Sequence, residues 1–292
     1  MNVLEFTLIV GVGGVAAGFL GALTGLGGGV IIIPLLTVGF GVEFHIAAGA
    51  ALVSVIATSS GAASAYVKEG YSNVRVGMFL EIATTVGALS GAFLSAIAPV
   101  NALAIVFGIV LLVSAYLSRP THQGEKGAGR SDPLAVRLRL DGSYPTPQGL
   151  RHYPVHHVPV GFGLMYVAGV LSGLLGIGSG AFKVLAMDQV MRLPFKVSTT
   201  TSNFMIGVTA AASAGIYLGH GFIRPGVAMP AMLGVLLGSM LGARLLVTAR
   251  VSVLRQVFVA VIVILALQMI YGSSPKRVGD FGAFFRFPAA CR

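Results

Sequence analysis

The chain repeats itself. Shifted by 151 positions without a gap, its first half places Gly18 on Gly169, Gly25 on Gly176, Gly27 on Gly178 and Gly29 on Gly180. Tyr66 then meets Tyr217, Gly70 meets Gly221, Tyr71 meets Phe222, Gly87 meets Gly238 and Gly91 meets Gly242. With 41 glycines some of these matches are chance, but one register held from Gly18 to Gly91, tyrosine included, is not. The chain is two copies of one unit, and whatever one copy folds into, the other must fold into beside it.

Each copy reads as a set of membrane-crossing helices. Hydrophobic residues make up 55% of the 292 residues and charged ones only 10%, with a mean hydropathy of +0.90. Soluble domains carry about 25% charged residues; a soluble fold of this composition would expose large apolar patches. At about 20 residues per crossing, apolar runs fall near 5–23, 30–41, 46–67, 76–98 and 101–117, then near 158–175, 181–191, 197–218, 226–248 and 252–271. The runs 30–41 and 181–191 are too short for an upright span, and each follows a glycine cluster, Gly25–Gly29 and Gly176–Gly180. A break in the backbone at membrane depth is tolerated only where protein buries it or it lines a cavity. The expected fold is an all-α polytopic membrane protein with two homologous repeats, each of about four full transmembrane helices plus one short broken or re-entrant half-helix. The expected divisions are a first repeat over 1–117, a hydrophilic cytoplasmic linker over 118–156, a second repeat over 157–272 and a flexible tail over 273–292.

The net charge of +10 does not point to nucleic acid, because the basic residues lie in short loops and tails rather than along one face. They read as orientation signals. The linker holds Arg119, Lys126, Arg130, Arg137, Arg139 and Arg151 against three acids, which places it in the cytoplasm. Lys68/Arg75, Arg192/Lys196 and Arg244/Arg250/Arg255 join it there if each repeat crosses an odd number of times, which makes the repeats inverted, a plan common in secondary transporters. That count leaves Lys276, Arg277 and Arg286 outside, whereas an even count moves Arg192, Lys196 and the 244–255 group out instead. In the linker, Leu134, Val136, Leu138 and Leu140 alternate with polar or small residues into Asp141-Gly142, which predicts a short β-hairpin. His152, His156 and His157 have no carboxylate or cysteine at ligand spacing, and Cys291 is the only cysteine, so neither a metal site nor an intrachain disulfide is expected. No lysine or arginine precedes the first apolar run, so the first helix is expected to be retained rather than cleaved.

The paired breaks are the best pointer to a site. Where a helix restarts after Gly29 or Gly180, its first amides lack intrahelical partners and carry the positive end of the helix dipole. Glycine also lets the backbone approach a ligand, so Gly27, Gly28, Gly29, Gly178, Ser179 and Gly180 suit a small anion. A nucleotide loop would need a preceding strand and a soluble α/β domain, while close helix packing is the purely structural alternative. Lys183 follows the second break inside an apolar run, where a charge costs about 2.5–3.5 kcal/mol on insertion scales. Its counterpart is Ile32, so the halves differ there. Lys183 either attracts the anion or forms an ion pair with Asp188 or Glu81. Those two acids are the candidates for proton or ion coupling, or else an interfacial cap and a headgroup contact. Thr199, Thr200, Ser202 and Asn203 open a long helix and could complete an oxyanion shell. The matching stretch of the first half, Ala47-Ala48-Gly49-Ala50-Ala51-Leu52, is apolar, so polar recognition is biased to the second half. Ser54, Thr58, Ser59 and Ser60 form a smaller polar stripe there. The same hydroxyls could instead cap helices or bond across them. No catalytic motif stands out, and no cofactor is implied.

The segment Gly18-Phe19-Leu20-Gly21-Ala22-Leu23-Thr24-Gly25-Leu26-Gly27-Gly28-Gly29-Val30-Ile31-Ile32-Ile33-Pro34-Leu35 resembles the signature of the sulfite exporter TauE/SafE family of membrane permeases. So does its second copy, Ser172-Gly173-Leu174-Leu175-Gly176-Ile177-Gly178-Ser179-Gly180-Ala181-Phe182-Lys183-Val184. The resemblance spans roughly 5–117 and 158–271. It implies a duplicated permease of the cell membrane that carries small sulfur-containing or carboxylated anions, often outward, with sulfite, sulfonates, sulfolactate-like compounds and thiosulfate as associated substrates. The second copy departs from the first at Ser179, which replaces Gly28, and at Leu185, which replaces Pro34, so the resemblance supports the anion class rather than one substrate. The expected function is secondary transport of a small anion by alternating access. An anion channel with the same lining and a non-transporting scaffold docking through 118–156 are the competing classes; saturable counterflow separates the first, and deletion of the loop the second.

Overall fold

The computed structural model describes residues 2–68, 70–99, 131–146 and 149–248, with scattered positions within 102–112 and 253–263. Helix α1, Val3–Thr24, starts where the Asn2 amide donates to Glu5 Oε2 (3.0 Å) and stops at Gly25, whose φ of +76° lies in the left-handed region that favours glycine. After the break comes α2, Gly29–Pro34, continued by a π turn over Leu35–Gly39, then α3, Phe44–Lys68, and α4, Val74–Ile97. The polar segment contributes α5, Pro133–Arg137, and the antiparallel strands β1, Gly142–Thr146, and β2, Gly149–Tyr153. Next come α6, Val158–Leu175, α7, Gly180–Leu185, a π turn over Ala186–Val190, α8, Phe195–Gly219, and α9, Pro225–Thr248.

The offset of 151 seen in the sequence recurs in the element limits. Gly29–Pro34 answers to Gly180–Leu185, Phe44–Lys68 to Phe195–Gly219, and Val74–Ile97 to Pro225–Thr248. Even the Gly41 conformation (φ +66°) recurs, at Arg192 (φ +58°), where a side chain is disfavoured.

Packing follows the same exchange. Helix α1 lies against α9 and α6 against α4, while α3 touches α8 and α9, and α8 touches α3 and α4. Swapping the halves maps this set of contacts onto itself, with α3–α8 as the self-matched pair. Glycine makes the closest of them. A methyl group on Gly18 would collide with the Val235 carbonyl, and one on Gly169 with that of Thr84; likewise Gly87 abuts the Tyr166 carbonyl and Gly238 that of Val15. Small residues thus bring backbones together where lipid supplies no hydrophobic drive.

Among the described residues, five helical stretches are long and apolar enough to cross a membrane: 4–24, 44–62, 74–97, 158–175 and 225–245. The stretch in α3 is 72% buried against 44–50% for the other four, so α3 is central. Helix α8 is equally long and also interior, with Phe195, the 197–203 run and Tyr217 all buried. The outward faces of α1, α4, α6 and α9 carry Leu8, Val12, Met78, Ile82, Val160, Val167, Leu233 and Leu237, an apolar surface suited to lipid.

The hairpin predicted around Asp141-Gly142 is displaced. Pro133–Arg137 is a helical turn, because Asp132 Oδ1 accepts from the Leu134 amide (2.9 Å) and Pro133 stands at a first-turn position. The strands begin only at Gly142, so Asp141-Gly142 is not the turn between them. Asn73 joins this segment to the helices: its Oδ1 caps α4 through the Val76 amide, and its Nδ2 donates to the Leu140 carbonyl (2.8 Å) and to Tyr153 Oη (2.9 Å). The expected spans 101–117 and 252–271 fall largely, and the tail 273–292 wholly, outside the described residues.

Two outcomes follow from the packing. Gly87→Val will sharply reduce the yield of folded protein in detergent, whereas Gly215→Ala, at an open helical position, will leave it unchanged or add about 0.5–1 kcal/mol of stability. Burial pushes the Tyr153 phenol up to about 12. Its folded pKa exceeds its unfolded value near 10, so the stability it lends is full below that value and is lost as pH rises towards 12. Melting curves between pH ~9 and ~12 should fall less steeply for Tyr153→Phe than for the parent.

Candidate functional site

The two breaks meet. A Cβ on Gly27 would lie 2.9 Å from Ile206 Cδ1 and 3.4 Å from Val55 Cγ2, and one on Gly178 would lie 2.8 Å from Val55 Cγ1 and 3.6 Å from Ile206 Cβ. Val55 and Ile206 are themselves matched by the repeat, so both breaks converge on the place where the halves face each other. Gly180 packs directly on Gly25 and Leu26, where a side chain would collide. Gly27 and Gly178 both hold positive φ, +75° and +71°. The copies differ at the next residue: Gly28 is right-handed (φ −60°), whereas Ser179 takes φ +49° without being glycine.

The polar cluster of α8 divides its labour. Ser202 Oγ donates to the carbonyls of Gly25 (3.0 Å) and Gly180 (3.3 Å), tying the two breaks together, and Asn203 Nδ2 donates to the Ala22 carbonyl (2.8 Å) near the end of α1. Thr200 turns away from the breaks and donates to the Tyr71 carbonyl (3.0 Å), while Thr201 Oγ1 accepts from the Asn73 amide (3.0 Å). In the first half Thr58 serves the break instead, its Oγ1 accepting from the Gly28 amide (3.1 Å). Among the described residues, buried polar atoms without a partner include Ser172 Oγ, Ser179 Oγ, Ser198 Oγ, Thr199 Oγ1 and Asn203 Oδ1. Buried polar atoms are ordinarily satisfied, so this set around α8 and the second break is where a polar guest would find contacts.

Lys183 is fully buried and its Nζ lies 3.3 Å from Glu81 Oε2 on α4. Thr209 completes the group: its Oγ1 accepts from Lys183 Nζ and donates to Glu81 Oε1 (2.5 Å), while Thr85 Oγ1 donates to the same oxygen (3.4 Å). Of the two partners the sequence allows for Lys183, the structure supplies Glu81. Asp188 is buried on the π turn after α7, where it accepts from Gln189 Nε2 (3.0 Å). Glu81 is buried rather than reaching headgroups. Thr209 is absent from the residues singled out in the sequence; the signal that points to it is its position 151 residues after Thr58.

A second matched pair lies near the first turns of α3 and α8. His45 stacks on Phe222 (ring centroids 4.7 Å apart, planes at 21°), and Lys196 Nζ stands 5.7 Å from the centroid of the Tyr71 ring. Residues 45 and 196, and 71 and 222, are counterparts in the repeat. His45 Nδ1 also lies 2.9 Å from Glu43 Oε1 and its Nε2 3.2 Å from the Ser95 carbonyl.

The family model described as sulfite exporter TauE/SafE matches residues 10–269. The chain is 28% identical over 281 residues to the probable membrane transporter protein YunE of Bacillus subtilis, covering 92% of this chain and 98% of that one. It is 28% identical to the probable membrane transporter protein YdhB of the same organism, covering 79% and 85%, and 24% identical to a probable membrane transporter protein of Xylella fastidiosa, covering 94% and 98%. No solved structure matches the chain.

Breaking the ion pair from one side leaves a buried charge unmatched. Lys183→Met or Glu81→Met alone should destabilise by about 3–5 kcal/mol, and the double replacement should recover most of that loss. Thermal melts of the four proteins in one detergent will show it as a coupling of the two changes.

Proposed function

The chain belongs to the sulfite exporter TauE/SafE family, and from that premise we propose that it is a secondary transporter of small anions in the cell membrane. Sulfite, organosulfonates and related oxyanions are the substrate class, carried outward by alternating access. The observation that carries this reading is the meeting of two glycine breaks at Val55 and Ile206, between the halves of a duplicated unit. Interrupted helices at matching positions mark the binding site in transporters built from repeats.

In this reading the repeats are inverted and rock about this place; the exchange of contacts between halves is what a two-fold relation between them requires. The amides of Gly29 and of Gly178–Gly180 would face the anion, those of Gly27 and Gly28 being held by the Gly21 carbonyl and by Thr58, and the hydroxyls of Ser179 and Thr199, uncommitted among the described residues, would donate to it. Ser202 and Asn203 would frame the site, since their donors already hold the break carbonyls, and Thr200 would support the loop at Tyr71. Lys183 supplies the positive charge, with Glu81 or Asp188 as the coupling carboxylate. In inverted repeats the His45–Phe222 and Lys196–Tyr71 contacts would stand at opposite mouths of the path.

Purified protein in liposomes loaded with sulfite should show saturable counterflow, cut by about tenfold or more in Lys183→Ala, as the loss of about 1.4 kcal/mol of binding would give. Flux no greater than that of empty liposomes across a panel of anions would overturn the reading, and so would steady single-channel current.

A further inference from the structure

A buried ion pair is not needed to build this fold. The positions matching Lys183, Glu81 and Thr209 in the other half are Ile32, Met232 and Thr58, so the same architecture stands there without charge. Replacing a buried pair by apolar residues is often neutral or stabilising. The charges therefore call for another explanation.

Their surroundings narrow it. Helix α4 packs on α6 and α8. Helix α6 brings no charged side chain, and its Tyr166 is exposed; α8 brings Lys196 in its first turn and Tyr217 near its end. Lys183 comes from α7, Asp188 from the following π turn, and Arg75 stands at the head of α4 itself. Lys183 is the group among these that lies against the Glu81 carboxylate, alongside the hydroxyls of Thr209 and Thr85. A site so enclosed must stay close to neutral, because a net buried charge is costly. Lys183 can then accept an anion only if Glu81 gives up its own charge.

We propose that Lys183 and Glu81 form a charge-exchange site, in which a monovalent oxyanion takes the place of the Glu81 carboxylate beside Lys183 as Glu81 takes up one proton. This rests on the anion-transport reading above. The proton comes from water on the loading side, binds a Glu81 oxygen and leaves with the anion on the other side. The site holds one positive and one negative charge before and after, so one proton moves with each anion. Thr209, which touches both groups, positions them for the exchange.

The test uses full-length protein in liposomes with an entrapped pH-sensitive dye and methanesulfonate as probe, an anion fully ionised near neutral pH that cannot carry the proton itself. Inward methanesulfonate movement should acidify the lumen with one proton per anion, and a gradient of one pH unit should accumulate the anion about tenfold. Glu81→Gln should be slower and move no protons, while Glu5→Gln, exposed at the start of α1, should acidify as the parent does. Net methanesulfonate uptake into anion-free liposomes by the parent without acidification would overturn the proposal and leave the transport reading standing. Acidification by Glu81→Gln at the parent's ratio would also overturn it. Absence of counterflow for every anion would overturn both. The parent's stoichiometry needs no variant, so a poorly folded Glu81→Gln cannot mask the result.

Discussion

Two helices stop inside an apolar core, and each leaves peptide groups there that must find partners without water. The structure answers with side chains from the two central helices. Thr58 of α3 takes the Gly28 amide, Ser202 of α8 holds the Gly25 and Gly180 carbonyls, and Asn203 holds that of Ala22. Without these the breaks would leave backbone groups unpaired, each costing several kcal/mol in such surroundings. The central position of α3 and α8, and their unusual polarity for buried helices, both follow from that need.

The copies meet it differently. Thr58 and Thr209 are matched residues, yet one caps a break and the other bridges Lys183 and Glu81. The second break keeps Ser179 in a left-handed conformation that glycine would adopt more easily. A symmetric frame, set by glycine contacts such as Gly87 on Tyr166 and Gly238 on Val15, thus surrounds a site whose polar chemistry comes mostly from one half.

Much of this is legible in the sequence, for a physical reason. Gly25, Gly27, Gly176 and Gly178 occupy positive φ, which few other residues accept, so their spacing records the breaks directly. The offset of 151 carries over to the element limits in the same way. The Lys183–Glu81 partnership is only one of two choices at that level, because the residues are 102 positions apart and nothing local distinguishes Glu81 from Asp188. The hairpin is misplaced because Leu134 and Leu138 fit helical spacing as well as strand alternation, and the Asp132-Pro133 start decides for the helix. The separate roles of Thr200 and Ser202 stay hidden because a hydroxyl in an apolar helix looks the same whether it serves a ligand or a carbonyl.

Where each polar link runs bears on how such a protein could move. Thr58 holds the Gly28 amide within one half, so this bond travels with its own break when the halves shift. Many other links cross between halves, Thr200 to the Tyr71 carbonyl and Thr201 to the Asn73 amide among them; three lie at the breaks and the buried ion pair: Ser202 to the Gly25 carbonyl, Asn203 to that of Ala22, and Lys183 to Glu81. A rocking motion of one half against the other would strain these three along with the rest. Ser202 has a second acceptor at Gly180, in its own half, to which its hydroxyl can turn when Gly25 moves away. The Lys183–Glu81 link has no such reserve in charge, since parting it would leave two opposite charges buried and apart. It is therefore the link that most needs a substitute during the motion. A bound anion can supply one, because a ligand shifts an equilibrium only by interacting differently with its two states.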